Sequence, residues 1–298
     1  MSASLRILRA GPLVTIQDRG RFGMLRHGIG ESGPMDIGAF AESASGLAVA
    51  GTAAIEFTQA GVDFEIVGGG VSAGFAGGNF VLAIDGARQS WPTAVKLERG
   101  AKVTIKPGAS GNYGYVRFDR EIGVPPILGS RSTNCTVGLG GYEGRALHAG
   151  DELPLLAISE PAAEHRVRVS RGEGPIRVIW GLHADLFPAA LRQRFVSEPF
   201  EISPRLDRMG VRLADPAGIF RDTRILGLVS DAVVAGDIQV LGDGSPIVLM
   251  RDHQPTGGYP RIATILSADL DRFAQMRPGS VVTFQSISPG HAYAARVR

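Results

Sequence analysis

Glycine and proline divide the chain into short apolar segments. The 298 residues include 41 glycines and 18 prolines, spread along the whole sequence. Both residues interrupt helices and favour turns, so long helices have little room between them. The intervening segments are rich in strand-favouring residues, and they cover residues 13–16, 62–67, 80–84, 102–105, 113–118, 167–169, 177–180, 247–250 and 281–285. This pattern predicts a mainly β fold of sandwich or barrel type.

Helices are predicted at only three places. The longest covers residues 37–49, with Asp36 as its N-cap and Gly51 as its stop signal. The other two cover residues 184–195 and 269–276. The predicted fold therefore has few helices.

A weak internal similarity bears on the number of lobes. Asp85-Gly86 precedes a glycine turn and an apolar strand at residues 100–105, and Asp243-Gly244 precedes a similar unit at residues 279–284. Two related β-barrel lobes would produce this similarity, and so would a chance likeness between turn-strand units. The length and the 44% hydrophobic content suffice for one large core or two medium ones.

The polar stretch at residues 159–166 is the predicted crossing between two lobes. This division places an N-terminal lobe at residues 1–160 and a C-terminal lobe at residues 161–298. A discontinuous division stays open at this point.

Composition argues against several classes of protein. A formal net charge of +2 gives no sign of nucleic-acid binding. The single cysteine, Cys135, cannot form a disulfide framework, which fits a reducing compartment. The N-terminus has no stretch suited to a signal peptide, and no run approaches the roughly 18–20 apolar residues of a membrane helix. We therefore expect a cytoplasmic protein that binds neither nucleic acid nor membrane.

Familiar catalytic and cofactor motifs are absent or lack their structural context. Gly70-Val71-Ser72-Ala73-Gly74 has the G-x-S-x-G spacing, but the glycine-rich residues 75–79 cannot open the helix that a nucleophile elbow needs. The chain has no G-x-x-x-x-G-K-[ST] loop, so a P-loop does not hold any ATP that is used. The six histidines are not at metal-ligand spacing, and we predict no metal site.

Four segments concentrate polar side chains among glycines, where the backbone can approach a ligand closely. They cover residues 15–21 with 32–36, residues 129–133 with 140–145 and 150–151, residues 205–212, and residues 236–244 with 252–260. Each segment has two interpretations, because the same polar groups can bind a ligand or bond to one another.

The interpretations differ in their chemistry. The first segment offers carboxylates and guanidiniums, or a salt-bridged turn. In the second, Arg131 and Arg145 suit an anion such as carboxylate, phosphate or bicarbonate, or they cap loop carbonyls. The third is typical of an internal ion-pair turn. The fourth supplies a carboxylate, an imidazole, amides, a hydroxyl and a phenol, which suit acid/base chemistry or amide recognition, or else a packed loop.

The same segments carry a family resemblance that covers nearly the whole chain. The ordered matches in the first half are Gly11-Pro12-Leu13, Thr15-Ile16-Gln17-Asp18-Arg19-Gly20-Arg21, Gly23, Ser32-Gly33, Met35-Asp36, Gly129-Ser130-Arg131-Ser132-Thr133, Gly140-Gly141 and Gly144-Arg145. Those in the second half are Ser203-Pro204, Asp207-Arg208-Met209-Gly210, Arg212-Leu213, Ile238-Gln239-Val240, Asp243-Gly244, Asp252, Gln254, Thr256-Gly257-Gly258-Tyr259-Pro260 and Ile262-Ala263. With these motifs the chain resembles the carboxyltransferase / allophanate hydrolase subunit 2 family.

The resemblance implies two cyclophilin-like β-barrel lobes and a partner, because the family pairs with a subunit-1 homologue and in some cases a third subunit. It implies a subunit of an ATP-dependent 5-oxoprolinase-type hydrolase that acts on a small amide or lactam. One alternative is the carboxyltransferase subunit of a biotin-dependent carboxylase acting on urea or a similar amide. Another is a non-catalytic regulatory partner of the subunit-1 homologue.

Site roles follow from the same motifs. We expect Asp36, Asp237, Asp252 and Tyr259 to take part in catalysis, with Asp36 or Asp237 handling a proton. We expect substrate binding by a further set of polar residues, namely Arg131, Ser132, Arg145, Gln239, Gln254 and Thr256.

The chain also departs from the family pattern. Asp119-Arg120-Glu121 stands where a small, glycine-containing stretch is usual, and Trp180-Gly181-Leu182-His183 stands where Pro-Gly-Pro-Gln is usual. Pro255 replaces a usual threonine, which removes a hydroxyl and a backbone N–H. These changes leave open a different substrate or a purely regulatory role.

Overall fold

The computed structural model describes residues 3–158, 172–225 and 228–297 of the chain. Strand accounts for 41% and helix for 12%, which confirms the prediction of a mainly β fold with few helices. The chain divides into two compact units, Met1–Phe22 with Glu31–Val169 and Gly23–Gly30 with Ser170–Arg298. The predicted crossing at residues 159–166 and the predicted strand at 167–169 lie outside the described residues, and the division at residue 160 stays a prediction.

The first unit contains a sheet of ten strands among its described residues. Its elements are β1 (Ala3–Ala10), β2 (Thr15–Gln17), α1 (Ile37–Glu42), β3 (Ala54–Thr58), β4 (Val62–Gly68), β5 (Val71–Ile84), β6 (Ala87–Arg88), β7 (Thr93–Leu97), β8 (Lys102–Phe118), β9 (Glu121–Ile122) and β10 (Glu152–Leu156). The strand order is β2-β3-β8-β4-β1-β10-β9, with β5 paired to β6, β7 and β8. This sheet is a half-barrel around a core that includes Phe57, Phe64, Phe75 and Phe118.

The second unit contains an eight-stranded sheet among its described residues. Its elements are β11 (Ile176–Trp180), α2 (Ala189–Ser197), β12 (Phe200–Leu206), β13 (Gly210–Ala214), β14 (Asp231–Ala232), β15 (Asp237–Val240), β16 (Pro246–Leu249), β17 (Thr256–Gly257), β18 (Arg261–Ile265), α3 (Ser267–Ala274), β19 (Val281–Val282), β20 (Phe284–Ser286) and α4 (Pro289–Val297). The strand order is β19-β12-β13-β16-β15-β18-β11-β20, and β14 pairs with β17 separately.

The two edges of the eight-stranded sheet come from neighbouring residues. Only Thr283 separates β19 from β20, yet these strands lie at opposite ends of the strand order. The path of the sheet therefore returns to the segment where it began, and the sheet forms a nearly closed barrel. Phenylalanine rings fill its interior, with Phe195 stacked on Phe284 at a centroid distance of 4.9 Å.

The predicted helices differ from the observed ones in extent. Asp36 is the N-cap of α1, as predicted, and its side chain accepts a hydrogen bond from Ala39 N at 2.8 Å. The helix ends at Glu42 and does not reach residue 49. Two contacts of Ser43 accompany this end. Its hydroxyl bonds locally to Phe40 O at 2.7 Å, and its carbonyl makes a tertiary contact so close to Gly74 that a Cβ there would overlap it.

Proline explains the second difference. The predicted helix at residues 184–195 is a short 3₁₀ turn, Ala184–Leu186, followed by α2, and Pro188 lies between them as the N-cap of α2. Proline cannot continue a helix from its N-terminal side because it lacks the N–H and clashes with the preceding turn. The third predicted helix is observed as α3, and α4 has no predicted counterpart.

Within the described ranges, no helix has both the length and the hydropathy that a membrane span requires.

Candidate functional site

A pocket of about 520 Å³ lies in the second unit. Its walls come from the end of β12, from β13, from β15 and β16, and from the segment after β16. The size falls within the range of small-molecule sites, which runs from about 300 to 1,000 Å³. Leu241, Ile247 and Leu249 provide apolar walls, and Gln239, Gln254 and Tyr259 provide uncharged polar groups. The pocket therefore brings together three of the residues predicted from sequence.

Gln239 is the most informative residue of this pocket. It lies on β15 and is 1% exposed, yet its Nε2 has no hydrogen-bond partner within the described residues. A buried amide that lacks a partner is costly, so such groups are rare unless a ligand or water completes them. Because Gln239 lines the pocket, its unpartnered Nε2 is a candidate donor to a molecule bound there.

Gly257 makes room for the two glutamine side chains. A Cβ at this position would lie 2.6 Å from Gln239 Nε2 and 3.3 Å from Gln254 Nε2. Any larger residue would push at least one amide aside. The absence of a side chain at residue 257 thus keeps both amides in place beside the pocket.

Two arginines line the same pocket. Arg205 is near the end of β12, and Arg212 is in β13. Arg212 Nη1 lies 3.7 Å from Asp243 Oδ2, which is a weak and exposed ion pair. Residues 205–212 were predicted to form an internal ion-pair turn. Arg208 and Arg212 do form ion pairs, but their partners Asp252 and Asp243 lie outside this segment.

Asp252 forms a buried ion pair with Arg208. The Arg208 Nε to Asp252 Oδ2 distance is 2.8 Å, the Nη2 to Oδ1 distance is 3.1 Å, and both side chains are 3% exposed. Removing either partner of such a pair is strongly destabilising, because the remaining charge is buried without compensation. Asp252, which was expected to take part in catalysis, is thus held in a buried ion pair and is not among the residues that line the pocket.

Asp237 is also held by internal bonds. Its Oδ1 accepts from Thr264 Oγ1 at 2.6 Å, and its Oδ2 accepts from Val234 N at 3.0 Å and Arg261 Nη1 at 3.2 Å. Thr256 is exposed and pairs with Ala232 in the small β14–β17 sheet. Neither residue is among those that line the pocket.

In the first unit, the predicted site residues Arg131 and Ser132 both contact the carboxylate of Asp18, which was not itself predicted as a site residue. The carboxylate accepts hydrogen bonds from Arg131 N at 2.6 Å, Ser132 Oγ at 2.7 Å and Gly20 N at 2.9 Å, and from Ser130 Oγ. We call Asp18, Gly20, Ser130, Arg131 and Ser132 the Asp18 cluster. Its polar groups bond to one another, so it joins two loops that are far apart in sequence.

The guanidinium of Arg131 is engaged as well. Its Nε donates to Val124 O at 3.0 Å, and its Nη1 donates to Thr52 Oγ1 at 3.2 Å. The prediction that it holds an anion therefore competes with these internal bonds.

Arg145 is paired with Asp151 through two hydrogen bonds of 2.7 and 2.9 Å. This interaction raises the pKa of Arg145 and, as its largest cause, lowers the pKa of Asp151 below its ordinary value of 3.8. The Arg145 guanidinium also lies 4.8 Å from the centre of the Tyr142 ring. Arg145 thus has an internal carboxylate where an external anion was expected.

Asp36 belongs to a buried group with Tyr115 and Glu56. Its backbone N–H donates to the Tyr115 hydroxyl at 2.8 Å, and that hydroxyl donates to Glu56 Oε2 at 2.7 Å. Burial raises the pKa of Tyr115 well above its ordinary value of 10.0, and the charges of Glu56 and Asp36 act in the same direction. Tyr115 therefore stays a neutral hydrogen-bond donor.

Arg205 and Gly257 were not predicted as site residues from the sequence. A signal for Arg205 was present in the neighbouring turn: Asp207 Oδ1 accepts from Met209 N at 2.8 Å and Gly210 N at 3.1 Å, a pattern typical of an Asx turn. Because Asp207 serves the turn, it does not neutralise Arg205 in a close pair.

Comparisons with known proteins agree with this fold. Residues 27–286 match the family model described as carboxyltransferase domain, subdomain A and B. The chain is 36% identical to the C subunit of 5-oxoprolinase from Escherichia coli over 98% of this chain and 94% of that protein. It is 32% identical to the C subunit of 5-oxoprolinase from Haemophilus influenzae, over 95% of this chain and 91% of that protein. The urea amidolyase of K. lactis has a similar structure, with a TM-score of 0.86 and 25% identity, covering 99% of this chain and 19% of that one.

Proposed function

The chain belongs to the carboxyltransferase domain family, subdomains A and B, and from this premise we propose that it is the C subunit of a cytoplasmic, ATP-dependent 5-oxoprolinase. Similarity to the bacterial 5-oxoprolinase subunits supports this proposal, because it extends over nearly the full length of both chains. The structural observation that carries it is the Nε2 of Gln239 beside the pocket, which has no partner among the described residues.

The chemistry of a lactam suits this pocket. A lactam ring presents a carbonyl oxygen as acceptor and an N–H as donor, together with apolar methylene groups. Gln239 Nε2 would donate to the carbonyl, and Gln254 and Tyr259 supply further polar groups on the same walls. Donors fixed in advance stabilise the negative charge that develops on a carbonyl oxygen during attack.

The remaining predicted residues take supporting roles in this proposal. Asp252 and Asp237 hold the segments around the pocket through Arg208 and Arg261. In the first unit, internal hydrogen bonds and an ion pair hold the loops in place, and they involve Asp36, Arg131, Ser132 and Arg145. Thr256 remains a candidate for substrate contact through its exposed side chain.

ATP binding is assigned to a partner in this proposal. The chain has no P-loop motif, and the pocket polar groups suit an amide better than a triphosphate. We propose that a subunit-1 homologue and a third subunit complete the enzyme, and that this chain binds and orients the amide.

A second candidate is the carboxyltransferase component of a biotin-dependent carboxylase that acts on urea or a similar amide. The structural similarity to urea amidolyase favours it. The chain spans only 19% of the length of that protein, and this second candidate assigns to it the carboxyltransferase step alone. The same two glutamines would then hold the acceptor amide.

The test is reconstitution with the partner subunits and measurement of ADP release in the presence of 5-oxoproline. We expect stimulated release that requires this chain and falls about 100-fold in Gln239→Leu, which corresponds to roughly 2.7 kcal/mol. Gln285→Leu is the matched control, because Gln285 is exposed on β20. Full turnover in Gln239→Leu would exclude the pocket as the amide site, and stimulation by urea alone would favour the second candidate.

A further inference from the structure

The charged side chains that line the pocket give it a positive bias. Arg205 and Arg212 contribute two guanidiniums, and Asp207 contributes one carboxylate. That carboxylate already accepts two backbone hydrogen bonds, from Met209 and Gly210, in its own turn. Arg212 lies 3.7 Å from Asp243, so an anion preference of the pocket would rest on Arg205.

Arg205 is the more available of the two arginines. Its backbone N–H bonds to Ser203 Oγ at 3.2 Å, but within the described residues neither a hydrogen bond nor an ion pair engages its guanidinium. Arg212, by contrast, has Asp243 at 3.7 Å. An uncommitted guanidinium on the wall of a pocket offers a planar fork of donors that matches a carboxylate.

An independent observation indicates that this pocket is built for a ligand. The Gln239 side chain is almost fully buried, and its Nε2 is unpartnered among the described residues. The neutral Gln239 amide can donate to a carbonyl oxygen, and the Arg205 guanidinium pairs best with an anionic group. A ligand that satisfies both carries a carbonyl group and a carboxylate in one small molecule.

On the basis of the proposed function, we propose that Arg205 binds the carboxylate of the substrate, so that the pocket selects carboxylate-bearing lactams over neutral amides. Leu241, Ile247 and Leu249 contribute to this selection, because a lactam ring has methylene groups to pack against them and urea has none. Arg205 is thus a specificity-determining residue, and Gln239 contacts the amide that reacts.

The experiment compares two ligands that differ only in the carboxylate. The full chain, alone and in the assembled complex, is titrated with 5-oxoproline and with 2-pyrrolidinone, which is the same ring without the carboxylate. We expect wild-type protein to bind 5-oxoproline at least about tenfold more tightly. The preference should decrease as ionic strength rises, because Arg205 is exposed to solvent.

Variants of Arg205 separate recognition from a structural effect. Arg205→Ala should abolish the preference and leave the affinity for 2-pyrrolidinone unchanged, and Arg205→Lys should retain part of the preference. Arg88→Ala removes the same charge from an exposed position on β6 and should leave both affinities unchanged. Equal losses for both ligands in Arg205→Ala, or an undiminished preference, would overturn the proposal.

The outcomes also distinguish this inference from the proposed function. If Arg205 selects the carboxylate but the assembled complex does not turn over 5-oxoproline, the proposed function fails and the anion site stands. If turnover survives Arg205→Ala with an unchanged KM, the anion site fails and the function stands. Absence of 5-oxoproline binding to both the chain and the complex overturns both.

Discussion

Two buried glutamines, one in each unit, differ in what surrounds them. In the first unit, Gln17 donates from Nε2 to Thr15 Oγ1 and Thr133 O, both at 3.0 Å, and accepts from Gly33 N at 3.2 Å. In the second unit, the Nε2 of the equally buried Gln239 has no partner among the described residues. Burial alone therefore does not identify a site. The difference lies in whether the fold itself satisfies the polar atoms.

The same contrast holds at the level of the two units. The Asp18 cluster in the first unit joins two loops through hydrogen bonds between its own members. The pocket in the second unit leaves an amide and a guanidinium free of internal partners within the described ranges. This contrast predicts that polar substitutions in the first unit reduce stability, whereas those at the pocket reduce binding.

The largest effect on the free energy of unfolding is expected at Asp252. A catalytic role for Asp252 would contradict the contrast drawn above between internally bonded polar groups and the pocket. Asp252→Ala leaves Arg208 charged and buried, so the free energy of unfolding should fall by about 3–5 kcal/mol. Urea denaturation measures the change. Asp243→Ala is the exposed control, which gives up a weak ion pair and a hydrogen bond from Ser245 N and should lose no more than about 1 kcal/mol. Unchanged stability together with lost turnover would assign Asp252 to catalysis.

The two glutamines provide the sharpest test of the comparison. Gln17→Leu should lower the free energy of unfolding by about 1–3 kcal/mol, because three groups lose their partner. Gln239→Leu should change it by less than about 1 kcal/mol, because its Nε2 makes no bond to the described residues that could be lost. Chemical denaturation of both variants supplies the measurement. Equal losses would remove the distinction between the units.

The smallest effect concerns the Arg145–Asp151 pair and depends on pH. The folded-state pKa of Asp151 is below its ordinary value of 3.8, so the pair stabilises the fold above that pH and loses its contribution as pH falls through the folded-state value. Asp151→Asn should cost up to about 1 kcal/mol at pH 7, and less in strong acid. Unfolding of both proteins at pH 7 and pH 3 tests this, and a pH-independent difference would contradict it.

The β-rich fold could be predicted from sequence because turn residues and strand-forming residues alternate along the chain. Helix α1 was predicted too long, because the close approach of Gly74 to the Ser43 carbonyl is a tertiary contact that the local sequence does not reveal. The four polar segments could not be ranked for a related reason. Apart from the bond from Gly20 N, the Asp18 carboxylate receives its hydrogen bonds from residues more than 110 positions away. The lack of a partner for Gln239 Nε2 among the described residues is an absence that a sequence pattern cannot display.

The closure of the second barrel has a consequence for synthesis on the ribosome. The strand β11 pairs in parallel with β20, more than 100 residues later, and β19 pairs with β12. Pairing at both edges of the sheet therefore cannot form until residues 281–286 have emerged from the ribosome. Pairings over such distances form slowly, and the incomplete sheet exposes two unpaired edges in the meantime. A nascent chain stalled before residue 281 should consequently be a substrate for chaperones, whereas the sheet of the first unit can form as soon as β10 has left the ribosomal exit tunnel.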